Sequence, residues 1–198
     1  MPARAQDNSS INAQPGCELH VWPGSDLVYL YFGWAHGGTV NGAVKGREGY
    51  PKPPANPLSL ETQAAQLGQT DLQSLLKLPG YAIIVHPEAL PSRTIRSSTS
   101  RIVSSNSPCY AELMIDDLLL SQNVIGGNAL RGSFRFRDFG PDTSPRRTFG
   151  AFSITPLKLF PPKTPEGEDA AAAELKLAFT SNLKQFAAAL LKPVKARH

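Results

Sequence analysis

The 198-residue chain has little charge, few cysteines and no long hydrophobic run, and each shortage excludes a class of protein. The 20 basic and 16 acidic side chains leave a net charge of +4, too small an excess for the concentrated basic face that binds nucleic acid. No stretch approaches the roughly 18 apolar residues of a membrane-spanning helix. Two cysteines without CxxC or HxxxH spacing do not suit a structural zinc site. The sequence therefore predicts no nucleic-acid partner, no metal and no cofactor.

Composition predicts one domain with polar ends. Residues 1–16 contain one bulky apolar residue, Ile11, and we expect them to be disordered because they bury too little surface to offset the ordering entropy. A hydrophobic fraction of 41% is enough for one core, which the length prior assigns to a single α+β domain over residues 17–192. Residues 193–198 are expected to form a disordered tail.

The N-terminal segment contains one export-like feature. The tripeptide Ala3-Arg4-Ala5, followed by Gln6, resembles the small-x-small end of a signal peptide. One interpretation is a chain that begins close to an export cleavage site, and the other is a chance tripeptide in an alanine-rich sequence. The first predicts a periplasmic or secreted protein whose export signal has been removed.

Cys17 and Cys109 leave three alternatives open. In an exported protein they would pair in a disulfide, closing a loop of about 90 residues and stabilising the fold by roughly 4 to 5 kcal/mol in the loop-entropy account. In a cytosolic protein they would be two buried thiols. Cys17 could also be a lipidation site, although Gln14 and Pro15 fit that motif badly. The disulfide is the hypothesis that we favour.

The last helix is the strongest secondary-structure signal. Thr164 and Pro165 suit its start, and Lys192-Pro193 suits its end. Its apolar residues step by four, four, three and four, which predicts a single stripe that packs on a sheet. The stripe consists of Leu175, Phe179, Leu183, Phe186 and Leu190.

Alternation predicts a largely antiparallel sheet packed against this helix and one or two shorter helices, an α+β fold. The glycine- and proline-rich residues 37–57 form a long loop, which is either mobile or functional. Residues 93–107 are rich in serine, threonine and arginine and predict an exposed edge strand or a flexible segment. The predicted strands are 18–22, 26–34, 81–85, 110–120, 130–139 and 149–160.

Two strands in the second half of the chain carry charge. In 110–120, strict alternation places Asp116 and Asp117 on opposite faces, with Asp117 on the apolar side together with Ile115 and Leu119. A carboxylate there needs a partner, and arginine is the obvious one. In 130–139, three arginines share the outward face, where they bind an acidic partner or a membrane surface, or form a solvated face that discourages edge pairing. These arginines are Arg131, Arg135 and Arg137.

Histidines and tryptophans supply the remaining candidate site residues. His36 lies in a glycine-rich turn, where it could act as a general base beside a carboxylate or simply hydrogen-bond the loop. His86 ends a strand before a proline. Trp22 and Trp34 belong to an aromatic cluster that indicates core or interface, or alternatively a platform for stacking carbohydrate.

The C-terminal half resembles a known class of domain. Residues 130–139, Leu-Arg-Gly-Ser-Phe-Arg-Phe-Arg-Asp-Phe, lie in a strand-strand-strand-helix order whose helix carries Ala178-Phe179, Leu183 and Phe186. This order, over residues 81–191, resembles the envelope lipoprotein-like domains of the CsgG and ABC-transport-auxiliary kind. The resemblance implies a non-enzymatic α/β module of the bacterial periplasm or outer membrane, and it assigns no functional residues.

These observations favour a non-enzymatic periplasmic or envelope protein that binds a protein partner or assembles into a homo-oligomer. One alternative is a small hydrolase or isomerase that uses His36 or His86, and another is a carbohydrate-binding module. The predicted binding residues are Trp22, Trp34, His36, Arg131, Arg135 and Arg137, with no catalytic residue assigned.

Overall fold

A computed structural model describes residues 16–32, 56–123 and 126–192, apart from the side chains of Tyr31 and Phe32. Residues 1–15, most of the predicted loop 37–57 and the predicted tail 193–198 lie outside this part of the chain. The strands are β1 (Cys17–Trp22), β2 (Val28–Phe32), β3 (Tyr81–Val85), β4 (Tyr110–Asn123), β5 (Gly127–Gly140) and β6 (Arg147–Leu157). The α-helices are α1 (Leu60–Gln69), α2 (Leu72–Leu76), α3 (Ser92–Ser97) and α4 (Glu168–Leu190), the last preceded by a 3-10 turn at Pro165–Gly167.

Within the described residues the strands form one six-stranded sheet in the order β3-β1-β4-β5-β6, with β2 also beside β4. β4, β5 and β6 are antiparallel and make the longest ladders. The N-terminal strands join in parallel: β1 pairs with β3 and with the start of β4, and β2 pairs with the end of β4. The predicted α+β class, a sheet packed against a long C-terminal helix, is confirmed.

β1 and β2 lie along the same side of β4, and the predicted break at Pro23-Gly24 separates them. The chain passes so close to β4 here that a Cβ at Gly24 would lie 2.9 Å from Cγ2 of Ile115, a distance that only glycine avoids. The Gly24 N–H donates to Oε1 of the buried Gln63 at 2.8 Å. This bond ties the break to α1.

The predicted disulfide between Cys17 and Cys109 is present. Their Cα atoms lie 4.6 Å apart although the residues are 92 positions apart in sequence. Cys17 begins β1 and Cys109 precedes β4, and the Glu18 N–H donates to the Cys109 carbonyl at 2.9 Å. The bridge therefore closes the start of the parallel β1–β4 ladder.

The inner face of the sheet packs against α1, α2 and α4. The predicted apolar stripe of α4 is confirmed, since all five of its side chains are buried. Each such burial stabilises the fold by about 1.5 to 3 kcal/mol. The rings of Phe134 and Phe186 lie 5.3 Å apart across this interface. Thr164 makes no side-chain capping bond; it precedes the 3-10 turn instead of starting α4 directly.

The segment 86–107 covers part of the outer face, where we predicted an edge strand or a flexible stretch over 93–107. It forms α3 and a loop that packs Ile95 against Trp22 and Met114. Arg101 holds the loop by donating to the carbonyls of Ser105, Gly140 and Asp142 at 3.0 to 3.1 Å. Arg101 therefore ties this polar segment to the end of β5 and the turn that follows it.

A bulge in β4 overturns the predicted alternation. The register of β4 against β5 shifts between Ile115 and Asp117, because one extra residue enters β4. Beyond the shift Leu118 and Leu120 face inward, and Leu119 faces outward, contrary to prediction. Asp116 and Asp117 both bind Arg96, at 2.7 and 2.9 Å, instead of pointing to opposite faces. The arginine partner predicted for Asp117 is confirmed.

Candidate binding surface

The structure separates the predicted site residues into two halves of the outer face. Trp22 and Arg137 lie in the covered half, under segment 86–107, whereas Arg131 and Arg135 lie in the open half. Trp34 and His36 are outside the described residues. The covered half comprises His20, Trp22, Tyr110, Glu112, Met114, Arg137 and Phe139, and the open half comprises Asp117, Leu119, Arg131, Ser133, Arg135, Gly150, Phe152 and Ile154.

Arg137 is buried, although we predicted that it would be open to a partner together with Arg131 and Arg135. Its side chain is 2% exposed, and its guanidinium lies 2.6 Å from Oε2 of the fully buried Glu112. The other carboxylate oxygen of Glu112 accepts from the Ile102 N–H at 2.7 Å and from the Tyr110 hydroxyl at 2.9 Å. Burial, and then the Glu112 carboxylate, raise the pKa of Tyr110 well above its ordinary value. Arg137 thus holds the covering segment in place and cannot contact a partner.

The histidines and Trp22 form a stack at the edge of the covered half. The ring of His86 lies parallel to that of Trp22 at 4.3 Å, and His20 stacks on His86 at 5.2 Å. Trp22 is 1% exposed and presents no ring face to a sugar. Of the two interpretations of the aromatic cluster, the structure therefore supports a core position for Trp22.

Hydrogen bonds join the two histidine rings of this stack to each other and to Glu18. The Glu18 carboxylate lies 3.2 Å from Nε2 of His20, so Nε2 donates to it. Nδ1 of His20 lies 2.9 Å from Nε2 of His86, so one of these two ring nitrogens donates to the other. Ser105 also donates to Glu18, at 2.5 Å, and this bond is the largest cause that holds the pKa of Glu18 below its ordinary value. Burial lowers the pKa of His86, with the neighbouring His20 as the second cause.

The histidine ring nitrogens of this stack have partners within the protein. Both ring nitrogens of His20 have partners, and Nδ1 of His86 lies 3.7 Å from the exposed Glu88. Among the described residues, no group of three or more histidine, cysteine, aspartate or glutamate side chains is arranged to hold a metal ion. The stack links β1 to the start of segment 86–107.

The open half carries an apolar surface whose residues are not among the predicted binding residues. Phe152 is 80% exposed and Ile154 48% exposed, on the same face of β6. Direct cross-strand partners continue the surface from Ile154 through Arg131 to Leu119 and Val28. A groove of about 300 Å³ runs along it; its lining residues are Asp117, Leu119, Arg131, Gly132, Ser133, Phe152 and Ile154.

Arg131 and Arg135 differ from the other arginines around the sheet. Neither has a side-chain hydrogen bond or ion pair within the described part of the chain, whereas Arg96, Arg101, Arg137, Arg146 and Arg147 all have partners. Arg131 is exposed and Arg135 half-buried. Of the three arginines predicted for binding, these two remain available to a ligand.

Alternation in the sequence of β6 predicts the outward position of Phe152 and Ile154. In 147–157 the inward residues include Phe149, Ala151 and Ser153, so the alternation places two large apolar side chains outward on the last strand of the sheet. Singly exposed apolar residues are common, whereas neighbouring ones on an edge strand make this surface a candidate for binding.

Comparisons with known proteins give no functional assignment. No family model matches the chain, and no curated protein matches it. The similar solved structures include an uncharacterized protein at 12% identity, covering 87% of this chain and 95% of that one, with a TM-score of 0.39. A hypothetical protein from Chlamydia trachomatis is 9% identical over 88% and 95% of the two chains, with a TM-score of 0.42. A Xanthomonas campestris protein described under DUF330 is 11% identical over 89% and 86%, with a TM-score of 0.42.

No helix in the described residues is both long and apolar enough to cross a membrane.

Proposed function

We propose that this chain is a non-enzymatic extracytoplasmic protein that binds a protein partner through the open half of its sheet. The observation that carries the proposal is the exposure of Phe152, 80%, next to Ile154 and beside a groove of about 300 Å³. Contiguous apolar surface exposed to water is costly unless another molecule covers it. Arg131 lies between the apolar residues and adds a cation that has no partner among the described residues, which suits a mixed apolar and polar interface.

The disulfide supports the extracytoplasmic part of the proposal. Disulfides form and persist in oxidising compartments and are rare where thiols are kept reduced. Cys17 and Cys109 are bonded at the base of a ladder between two central strands, so the bridge belongs to the folded core and not to a surface loop. A periplasmic or secreted location is the specific form of this proposal.

The engagement of the ionisable groups in the covered half supports a non-enzymatic role. Glu112 and Arg137 neutralise each other in the interior, and the nitrogens of His20 bond to Glu18 and His86. A catalytic base must reach a proton on a substrate, which requires an accessible ring or carboxylate. His20 is only 4% exposed.

Site-specific photo-crosslinking in cells tests the proposal. A photoreactive phenylalanine analogue placed at Phe152 should give a discrete adduct, whereas the same analogue at Leu177 of α4, which is 71% exposed, should give none. The mass of the adduct distinguishes a different protein from a second copy of this chain. Equal labelling at both positions, or none at Phe152, would contradict the proposed surface. Fractionation of the same cells tests the extracytoplasmic location.

A further inference from the structure

The outer edge of β6 is open over a short stretch. Among the described residues, β6 pairs only with β5, so its other side is a sheet edge. The Ile154 N–H points away from β5, since it lies 3.4 Å from the side-chain oxygen of Gln185 on α4. Backbone direction alternates along an antiparallel strand, so the N–H groups of Thr148, Gly150 and Phe152 point the same way.

Among the described residues, covering groups are found at one end of this edge. Beyond Ile154, Pro156 has no N–H to present, and Glu174 accepts the N–H groups of residues 158–160. The N–H groups of Thr148, Gly150 and Phe152 have no partner within the part of the chain that the structure describes, and all three residues are exposed. Exposed backbone groups of this kind are a template for an added strand.

Because Gly150 has no side chain, the side chain of Arg135 can reach this edge. Gly150 is the direct cross-strand partner of Arg135, which has no ion pair among the described residues. Strands are spaced by about 4.8 Å, so a residue added opposite Gly150 would lie roughly 10 Å from the backbone of Arg135. The extended side chains of an arginine and a glutamate together span that distance, and Gly150 places no side chain between them. On the same face, Phe152 flanks this position with apolar surface.

Charge decides between an acidic partner and a second copy of this chain. Two β6 edges paired antiparallel about Gly150 would place the two Arg135 backbones about 14 Å apart, which is three strand spacings, on the same face and with no side chain of Gly150 between them. Extended guanidinium groups can approach each other over that distance, and like charges repel in a chain that already carries a net charge of +4. A carboxylate at that position would instead form a charge-assisted hydrogen bond.

We infer that the edge of β6 receives an extended acidic segment of a partner protein as an additional strand, with a carboxylate opposite Gly150 that pairs with Arg135. This inference rests on the proposed function and specifies the chemistry of the partner. Backbone hydrogen bonds to Gly150 and Phe152 would supply affinity. The Arg135 contact would supply selectivity for acidic residues.

A nine-residue synthetic peptide of alternating threonine and valine, capped at both ends, with one central glutamate, tests this inference. Matching peptides carry glutamine or lysine at the centre. Titration followed by NMR should show slower hydrogen exchange at the Gly150 and Phe152 amides. The glutamine peptide should bind about tenfold more weakly, and the lysine peptide more weakly still.

Two variants locate the selectivity. Arg135→Gln should remove the difference between the glutamate and glutamine peptides, whereas Arg93→Gln, the same change on the exposed face of α3, should leave it intact. Gly150→Val should have a similar effect to Arg135→Gln, because it fills the gap. An added Cβ at Gly150 meets only the Phe134 carbonyl, at 3.7 Å, so this variant should fold.

The outcomes separate this inference from the proposed function. Edge protection with equal affinity for all three peptides would overturn the acidic preference and leave partner binding standing. Shifts on the open half without protection at Gly150 and Phe152 would overturn strand addition alone. Self-association that protects the same amides would replace the partner with a second copy. Absence of peptide binding would overturn the inference, and absence of a crosslink at Phe152 as well would also remove the proposed function.

Discussion

The carboxylate of Glu112 and the guanidinium of Arg137 lie 2.6 Å apart inside the protein, and both side chains are at most 2% exposed. The pair also holds the covering segment. Glu112 accepts the Ile102 N–H, and Arg137 donates to the Ser98 carbonyl at 2.5 Å. A buried charge pair of this kind contributes little net stability by itself, but each charge offsets the cost of burying the other.

Removing one member of the pair should therefore cost more than removing both. Arg137→Met leaves the Glu112 carboxylate buried without its counter-ion, and we expect the free energy of unfolding at pH 7 to fall by about 3 to 5 kcal/mol. The double variant Glu112→Gln, Arg137→Met should recover part of this loss. Urea unfolding measures both. Equal losses in the single and double variants would contradict the pairing.

The ring stack predicts a pH dependence. Burial lowers the pKa of His86 below its ordinary 6.5, so the unfolded chain binds this proton more readily than the folded protein. The stabilising contribution is complete above the ordinary pKa and declines as pH falls through it. We expect the free energy of unfolding to decrease between pH 7.5 and pH 5.5, by less in His86→Phe, which keeps a ring against Trp22 (these pH limits bracket about one unit on either side of the ordinary histidine pKa).

The neighbouring Glu88 provides the control for that measurement. Its carboxylate, 3.7 Å from Nδ1 of His86, favours the protonated ring and opposes the effect of burial. Glu88→Gln should therefore steepen the loss of stability toward acid pH. If His86→Phe and the unaltered protein show the same slope, His86 is not the titrating group.

The sequence was sufficient where one periodicity holds along an entire element. The stripe of α4, from Leu175 to Leu190, was predictable because packing against a sheet requires that spacing and nothing interrupts it. Alternation in β4 failed at Asp116, because a single extra residue reverses the side-chain direction of all that follows and leaves no signature in composition.

The candidate site was predictable in chemistry but not in location. Arg131, Arg135 and Arg137 do share one face of β5, as alternation predicts. Which of them reaches solvent depends on segment 86–107, distant in sequence, which packs over Arg137 alone. The local sequence pattern does not show which strand residues a distant segment will cover. The exposure of Phe152 was unpredictable for the same reason, because it depends on whether another segment packs over that end of the sheet.

The disulfide predicts a large difference between the oxidised and reduced protein. Its loop of 92 residues corresponds to about 4 to 5 kcal/mol in the loop-entropy account. Reduction should lower the thermal midpoint and the free energy of unfolding to the values of the Cys17→Ser, Cys109→Ser double variant, which itself should not respond to reductant. Identical unfolding curves with and without reductant would contradict a stabilising bridge.

Glu174 of α4 predicts a second, more acidic pH dependence. Its two carboxylate oxygens accept three backbone N–H groups at 2.7 to 2.8 Å, from the turn at residues 158–160 that ends β6. Partial burial raises the pKa of Glu174, but the three N–H donors outweigh it and hold the pKa below the ordinary 4.5. The stabilising contribution is therefore complete above about pH 4.5 and is lost as pH falls below it.

Glu174→Ala removes the acceptor of all three N–H groups and should lower the free energy of unfolding at pH 7 by about 1 to 2 kcal/mol. Glu174→Gln keeps one acceptor oxygen and should lose less. Lys184→Ala, at an exposed position of the same helix, should change stability by less than about 0.5 kcal/mol. Because the turn anchors the end of β6, hydrogen exchange should quicken at residues 158–160 in Glu174→Ala. Unchanged exchange there, with lowered global stability, would place the effect in α4 and not in the turn.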